Sequence, residues 1–473
     1  MIYNYIHINK EGYIIPKINK YNELINKIKI ELLVQPFVTF SMPNIKPEKF
    51  KVYKEYDDYI VIPKFYGIKF IGPPEAIYEK KGTDINIIFK GDLRPAQIEI
   101  TNKIIPYINL NNGGVLCLPC AAGKTVLSLY LIANYKVKTL VIVHKTFLLN
   151  QWKERAEQFT NAKVGIIQQK KIDTEGKDIV IAMLQSIAKD KYDNSIFDDF
   201  GMVIFDEAHH APSKYFSKVL PIINCNLTIG LSATPKRNDK MEKVLYWYFG
   251  DIMYKTIVEE NNNVQVNIIN YNIDHDKFKE FFLYTGDVNR AKTINKITTI
   301  GRRNKFIIDT LEKVLNNNSN RKVLILSDRL EHLKLLKNRL DIRDITSSDF
   351  YIGGMKQLAL KNAETAQVIF ATYGMAAEAL DIPDLNTLFM VTSRKEVEQA
   401  VGRILRKIDL NTKPIIYDFI DQLPSFINQG RTRIKYYNKM GFEVHITNIY
   451  NNEIITKPNK IEISNNDECD FID

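Results

Sequence analysis

Cysteine is scarce in this 473-residue chain: Cys117, Cys120, Cys225 and Cys469 are the only four. They are too few and too scattered for a disulfide framework, which points to a reducing, intracellular compartment. Cys117 and Cys120 form a CxxC, but no second Cys or His pair stands at zinc-finger spacing, so the pair reads as packed loop and strand cysteines. No apolar run approaches the roughly 18 residues needed to cross a bilayer. The opening MIYNYIHINKEGYIIPK has no apolar core followed by a small-residue cleavage site, so neither a membrane partner nor secretion is expected. No repeat of the length that builds solenoids or propellers is present. What is plentiful is ordinary globular material, with 45% hydrophobic and 25% charged residues. The formal charge of +10 favours a polyanionic partner, because Lys and Arg that neutralise phosphates release condensed counterions.

The length suggests about three units at roughly 150 residues each. From Gly91 onward, β-branched runs alternate with helical patterns: TLVIVH, LLNQWKERAEQF, DIVIAM, MVIFDEAHH, LTIGLSATP. A second series holds KVLILS, QVIFAT, TLFMVTS, EVEQAVGRILRK and PIIYDFI. This βαβ rhythm predicts two α/β units with parallel sheets, over residues 91–262 and 263–446. Residues 1–90 read as short strands broken by Pro and Gly (FVTFSMP, YIVIPKFYGIKFIGPP), a small β-rich accessory domain, and residues 447–473 as a frayed tail with an acidic finish.

The polar motifs follow strands, where ligands bind in such sheets. In LCLPCAAGKTVLSLYLI an apolar strand meets a small-residue loop and then an amphipathic helix. This is the pattern of a phosphate-binding loop: the backbone from Leu118 through Pro119, Cys120, Ala121, Ala122 and Gly123 cradles phosphates, Lys124 reaches the β and γ groups, and the Thr125 hydroxyl ligates Mg²⁺. Leu118 and Ala121 stand where glycines are commoner, and Ala121 adds a Cβ beside the phosphates. In FGMVIFDEAHH a strand ends in two carboxylates, and only a turn just past it lets both serve one site. Asp206 would hold Mg²⁺ and Glu207 would deprotonate the attacking water. His209 and His210 lack the HExxH spacing of a zinc site, and interdomain contact is the expectation. Gln399, Arg403 and Arg406 are spaced by four and three, hence on one helical face, with Gly402 allowing close approach. They suit a phosphate clamp, with ATP between the two units.

In this order and spacing, GKT, DEAH, SAT and QxxGRxxR resemble the motifs of the superfamily 2 helicases. LRPAQ (Leu93 to Gln97), VIVHKTFLLNQW, GLSATPKRND and WYFGDI look like the branch containing the large helicase subunit of TFIIH, named for xeroderma pigmentosum group B. KFYGIKFIG and YDFID look like the compact forms of large cytoplasmic DNA viruses, relatives of the poxvirus transcript-release helicase, and a phage-type branch-migration helicase is also similar. The likeness spans Leu93 to Phe442. It implies two RecA-like domains, ATP with Mg²⁺, and a DNA (or RNA) track travelled 3′ to 5′. It further implies an RNA polymerase or transcription partner, a monomer, and for a viral source the host cytoplasm and the virion. Residue by residue, it puts Arg94 and Gln97 on adenine and His144, Lys145, Gln185, Ser186 and Thr372 on the nucleic-acid backbone. Ser232, Thr234 and His209 would couple hydrolysis to domain movement, and ALDIP (Ala379 to Pro383) looks like the fifth motif. The clamp reading, in which ATP only switches affinity, rests on Ala121.

Overall fold

A computed structural model describes residues 4–37, 47–79, 81–119, 122–189, 192–211, 213, 219–223, 225–233, 239–256, 263–378, 380, 382, 384–405 and 412–455. Cys120, Ala121, Thr234, Arg406, Cys469, most of FVTFSMP and three residues of ALDIP (Ala379, Asp381 and Pro383) lie outside them. The chain divides into two compact units, Met1–Ile257 and Val258–Asp473.

The first unit opens with β1 (His7–Asn9), β2 (Gly12–Pro16), β3 (Lys54–Glu55), β4 (Tyr59–Ile62) and β5 (Ala76–Ile77), in the sheet order β3-β4-β2-β1-β5. The stretch after β4, expected as strand, is instead the helix α1 (Lys64–Phe70). Tertiary packing decides this: a Cβ on Gly67 would come within 2.2 Å of the Tyr13 ring, so the helix backbone lies directly on β2. The other face of α1 meets the α/β core. Tyr66 and Trp247 rings cross edge-on at 5.3 Å. Lys64 donates to Glu79 at 2.6 Å, with both side chains 4% exposed, and to the Asn226 carbonyl at 3.1 Å. The accessory region thereby shares one apolar cluster with Met241, Val244 and Trp247, which explains why it folds as part of the first unit.

Next come α2 (Pro95–Asn111), β6 (Gly113–Cys117), α3 (Lys124–Tyr135), β7 (Thr139–Val143), α4 (Thr146–Phe159), β8 (Val164–Gln168), β9 (Lys171–Ile172), β10 (Ile179–Met183), β11 (Met202–Phe205), β12 (Leu227–Ser232), α5 (Glu242–Phe249) and β13 (Ile252–Lys255). The sheet order is β9-β8-β10-β7-β11-β12-β6-β13. Every pairing is parallel except the β8–β9 hairpin at the edge. The inner strands β6, β7, β10, β11 and β12 are buried along their whole length, as unbroken Val/Ile/Leu runs between two helical layers require. One apolar cluster fills each face of the sheet.

The second unit repeats the plan with β14 (Gln265–Asn272), α6 (Gly301–Asn317), β15 (Val323–Ser327), α7 (Leu330–Arg343), β16 (Ser348–Tyr351), β17 (Val368–Thr372), β18 (Thr387–Met390), α8 (Glu398–Ile404), β19 (Ile415–Asp421), α9 (Pro424–Lys439), β20 (Glu443–Tyr450) and β21 (Glu453–Ile455). Its order is β16-β17-β15-β18-β19-β14-β20-β21, parallel except for the final hairpin. These are two RecA-like sheets in tandem with a smaller N-terminal region. Strands Glu443–Tyr450 and Glu453–Ile455 extend the sheet beyond residue 446, because β20 pairs along all of β14, whereas the polar composition of that segment suggested fraying.

Candidate active site

The sheet order determines what meets at its carboxyl edge. β10, β7, β11, β12 and β6 are neighbours, so the residues just past them form one row: Gln185, His144, Asp206 with Glu207, Ser232, and the loop after Cys117. Leu118 N donates to the Ser232 carbonyl at 3.1 Å, which ties the loop to β12. The Leu118 side chain is fully buried in the core, whereas Pro119 is exposed.

Gly123 caps α3 with φ +81° and ψ 37°. That left-handed conformation is costly for other residues. Space is closed as well, because a Cβ there would stand 2.4 Å from Gln97 Nε2 and 2.7 Å from Arg94 Nη2. The capping box of α2 delivers those two side chains: Arg94 N donates to Gln97 Oε1 at 3.0 Å, and Gln97 Nε2 reaches the Ala122 carbonyl at 3.4 Å. Arg94 and Gln97 are therefore packed against the loop. Lys124 and Thr125 occupy the first turn of α3, where unpaired backbone N–H groups favour an anion.

Asp206 follows β11, and Glu207 adopts φ +49°, ψ 51°. A non-glycine residue held there costs on the order of 1–3 kcal/mol and persists where the surroundings impose it. Lys124 Nζ lies 3.4 Å from Glu207 Oε1. Trp152 Nε1, from the buried face of α4, donates to Asp206 Oδ2 at 2.8 Å, and Glu207 N donates to Asp206 Oδ1 at 3.0 Å. Burial, followed by the Glu207 charge, pushes the Asp206 carboxyl up, against Lys124 and Trp152. Burial also opposes ionisation of Glu207, but Lys124, His209 and His210 outweigh it and hold that carboxyl below its ordinary range. The two adjacent carboxyls are thus set apart, the Glu207 group favouring its ionised form and the Asp206 group its neutral one.

His209 Nδ1 sits 3.2 Å from Ser232 Oγ and 3.3 Å from Glu207 Oε2. His144 is only 6% exposed, its ring turned inward, while Lys145 beside it is half-buried and caps α4. Gln185 Nε2 donates to the His144 carbonyl at 2.5 Å, and Ser186 Oγ accepts from Gln169 N at 2.8 Å. Burial pushes the thiol of Cys117 up to about 11, which keeps it an inert core side chain. In the second unit Thr372 ends β17 and Gln399 lies half-buried on α8. Arg403, expected in a phosphate clamp, is 8% exposed and donates Nε–H to the Ala376 carbonyl at 2.8 Å. Trp152 is not singled out by local pattern, whereas His210 is weighed with His209 and expected at an interdomain contact. The QW pair in VIVHKTFLLNQW was the available signal for Trp152.

Residues 90–237 match the family described as "Type III restriction enzyme, res subunit". A chain of Acanthamoeba polyphaga mimivirus, provisionally named an ATP-dependent RNA helicase, is 36% identical over 450 residues, covering 92% of this chain and 86% of the relative. The chain belongs to the superfamily 2 helicases. Among solved structures, this helicase is similar to a fragment of a provisionally assigned HsdR subunit of a type I restriction enzyme from Vibrio vulnificus, with TM-score 0.55, 14% identity, and 78% and 71% of the two chains covered. It is also similar to the ATP-dependent Type ISP restriction-modification enzyme LlaBIII bound to DNA, with TM-score 0.52, 17% identity, and 76% and 32% covered. Both share its fold. The helicase binds and hydrolyses ATP.

The close fit of Gly123 makes a prediction for nucleotide binding. Gly123→Ala combines the strain of a positive φ with a Cβ inside the Arg94–Gln97 contact, so ATP affinity is expected to fall by about tenfold or more, roughly 1.4 kcal/mol. Titration with a fluorescent ATP analogue measures it. Unchanged affinity would mean that these two side chains do not border the nucleotide.

Proposed function

We propose that this helicase is a motor that couples ATP hydrolysis to movement along one nucleic-acid strand, in the 3′ to 5′ direction. The observation that carries the reading is the meeting of Gly123, Lys124, Asp206 and Glu207 at one point of the sheet edge, with Lys124 and Glu207 3.4 Å apart. In it, Arg94 and Gln97 hold adenine, the backbone from Leu118 to Gly123 and the start of α3 hold the phosphates, and Glu207 takes the proton of the attacking water. Thr125 and Asp206 would hold Mg²⁺, which neutralises charge on the transferring phosphoryl group. The donor set suits it, since Mg²⁺ is held by one or two carboxylates with phosphate and water rather than by a protein cage. No group of three or more His, Cys, Asp or Glu side chains able to hold a metal exists among the described residues. Gln399, Arg403 and Arg406 are assigned to the γ-phosphate on their motif resemblance, and Ser232, Thr234 and His209 to coupling. Lys145, Gln185, Ser186 and Thr372, with the segment at His144, are assigned to the strand.

The printed name of the mimivirus relative supports RNA as the track. The restriction-enzyme family match supports DNA, and the motif likeness to the TFIIH branch and its viral relatives supports DNA and a role beside RNA polymerase in viral transcription. Steady-state ATPase with single-stranded RNA, single-stranded DNA and duplex DNA separates the readings. Stimulation by one polymer names the track, and it should fall steeply with salt because phosphate contacts dominate binding. Hydrolysis indifferent to all three would remove the motor, and no hydrolysis with any of them would favour the ATP-switched clamp.

A further inference from the structure

Beyond the contact of His209 with Ser232 and Glu207, the sheet edge carries a feature that the motor reading leaves without a role. The His209 ring lies against the His210 ring at 4.3 Å between centroids and 40° between planes. The His210 ring lies in turn against His144, at 4.2 Å and 43°. Three imidazoles thus form a continuous stack of tilted rings. Its outer member is the residue after β7, continuous in the chain with Lys145 and the first turn of α4. Its inner member touches both the general base and β12.

Backbone contacts hold two of the three members. Gln185 Nε2 fixes the His144 carbonyl, and the His210 backbone N–H donates to the Glu207 carbonyl at 3.0 Å. His144 is 6% exposed, so its ring has no room to swing into solvent. Close-packed interiors transmit displacement, because contacts at van der Waals distance have no slack. A phosphate that draws in Lys145 and the start of α4 acts on the residue adjoining the His144 ring, and that ring lies in direct contact with His210.

We propose that His210 is a positioning residue, transmitting occupancy of the His144–Thr146 segment by a nucleic-acid strand to the Glu207 carboxylate through the stack of three rings. The proposal rests on the nucleic-acid motor reading above and adds to it the route by which the strand stimulates hydrolysis. His210 touches neither reacting atoms nor strand in this scheme; its ring is a spacer between His144, beside the strand-binding segment, and His209, against Glu207.

The test is ATPase of wild type, His210→Ala and His210→Phe, each with and without the stimulating single strand, alongside strand affinity by fluorescence anisotropy. His210→Ala removes the middle ring: the ratio of stimulated to basal kcat is expected to fall by about two- to thirtyfold, the range for residues along a coupling route. KM for ATP and strand affinity should stay within about twofold, and because His210 also helps to keep the Glu207 carboxyl ionised, basal kcat is expected to fall by less than stimulated kcat. His210→Phe keeps an aromatic face and should retain at least half of the stimulation. Should His210→Ala fail to fold, His210→Leu, which keeps volume without an aromatic face, carries the same expectation. Full stimulation in His210→Ala overturns the proposal, and so does a basal loss equal to the stimulated loss, or His210→Phe falling as far as His210→Ala. An unstimulated wild type would sink the motor reading itself, a result distinct from stimulated variants that sink the stack alone.

Discussion

Glu207→Gln is expected to lower the ATP turnover number by about 10²–10⁴-fold, the range that a positioned general base contributes. The substitution keeps the shape and the left-handed turn at φ +49° and removes only the ability to accept a proton. Lys124, 3.4 Å from Glu207 Oε1, loses a charge partner and not its place at the start of α3, so ATP binding should change by no more than several-fold. A loss concentrated in kcat, with KM nearly unchanged, identifies an interaction made in the transition state. Rapid-quench measurement of one turnover separates hydrolysis from product release. If the variant hydrolyses at the wild-type rate, the base lies elsewhere and the Asp206–Glu207 turn serves only to hold the cation. A parallel fall in affinity and rate would instead mean that Glu207 organises the phosphate loop through Lys124.

The parts of this site that were legible in the sequence are those written in contiguous residues. GKT after an apolar strand and DEAH after another fix their own local structure, since a strand must end and a helix must begin there. The unbroken Val/Ile runs of β7 and β10 announce central parallel strands for the same reason. What was not legible comes from contacts distant in sequence. Lys64–Phe70 carries β-branched and aromatic residues that read as strand, yet folds as helix because Gly67 seats it on Tyr13. Trp152 and Asp206 are 54 positions apart, and no period in either segment reveals their hydrogen bond. The His144–His210 contact depends on β7 lying beside β11, a property of sheet order. Arg403 illustrates the converse: helical spacing placed it correctly on α8, but spacing does not tell which face is buried.

Arg433→Met is expected to destabilise the second unit by about 3–5 kcal/mol, the cost of leaving one charge of a buried pair uncompensated. Arg433 Nε and Nη2 donate to the two carboxylate oxygens of Asp418 at 2.7 and 2.9 Å, and each side chain is 1% exposed. Burial works against the Arg433 charge, but Asp418 outweighs it and raises the guanidinium further above its ordinary range. Tyr437 OH donates to the same carboxylate at 3.0 Å, and Arg433 Nη1 donates to the Arg394 carbonyl. One side chain therefore joins α9, β19 and the segment between β18 and α8. For a unit of this size, about 2–4 °C of midpoint follows each kcal/mol, so scanning calorimetry should show a drop of roughly 6–20 °C. Adding Asp418→Leu should recover part of that loss, because replacing both charges removes the stranded carboxylate. A single variant no worse than the double would show that the pair contributes packing alone. The expected consequence for function is indirect: α8 carries Gln399 and Arg403, and its approach is set by the Arg394 backbone that Arg433 holds. At temperatures well below unfolding, Arg433→Met should then reduce kcat more than ATP affinity. Unaltered turnover in a destabilised variant would separate the anchoring of this segment from the chemistry.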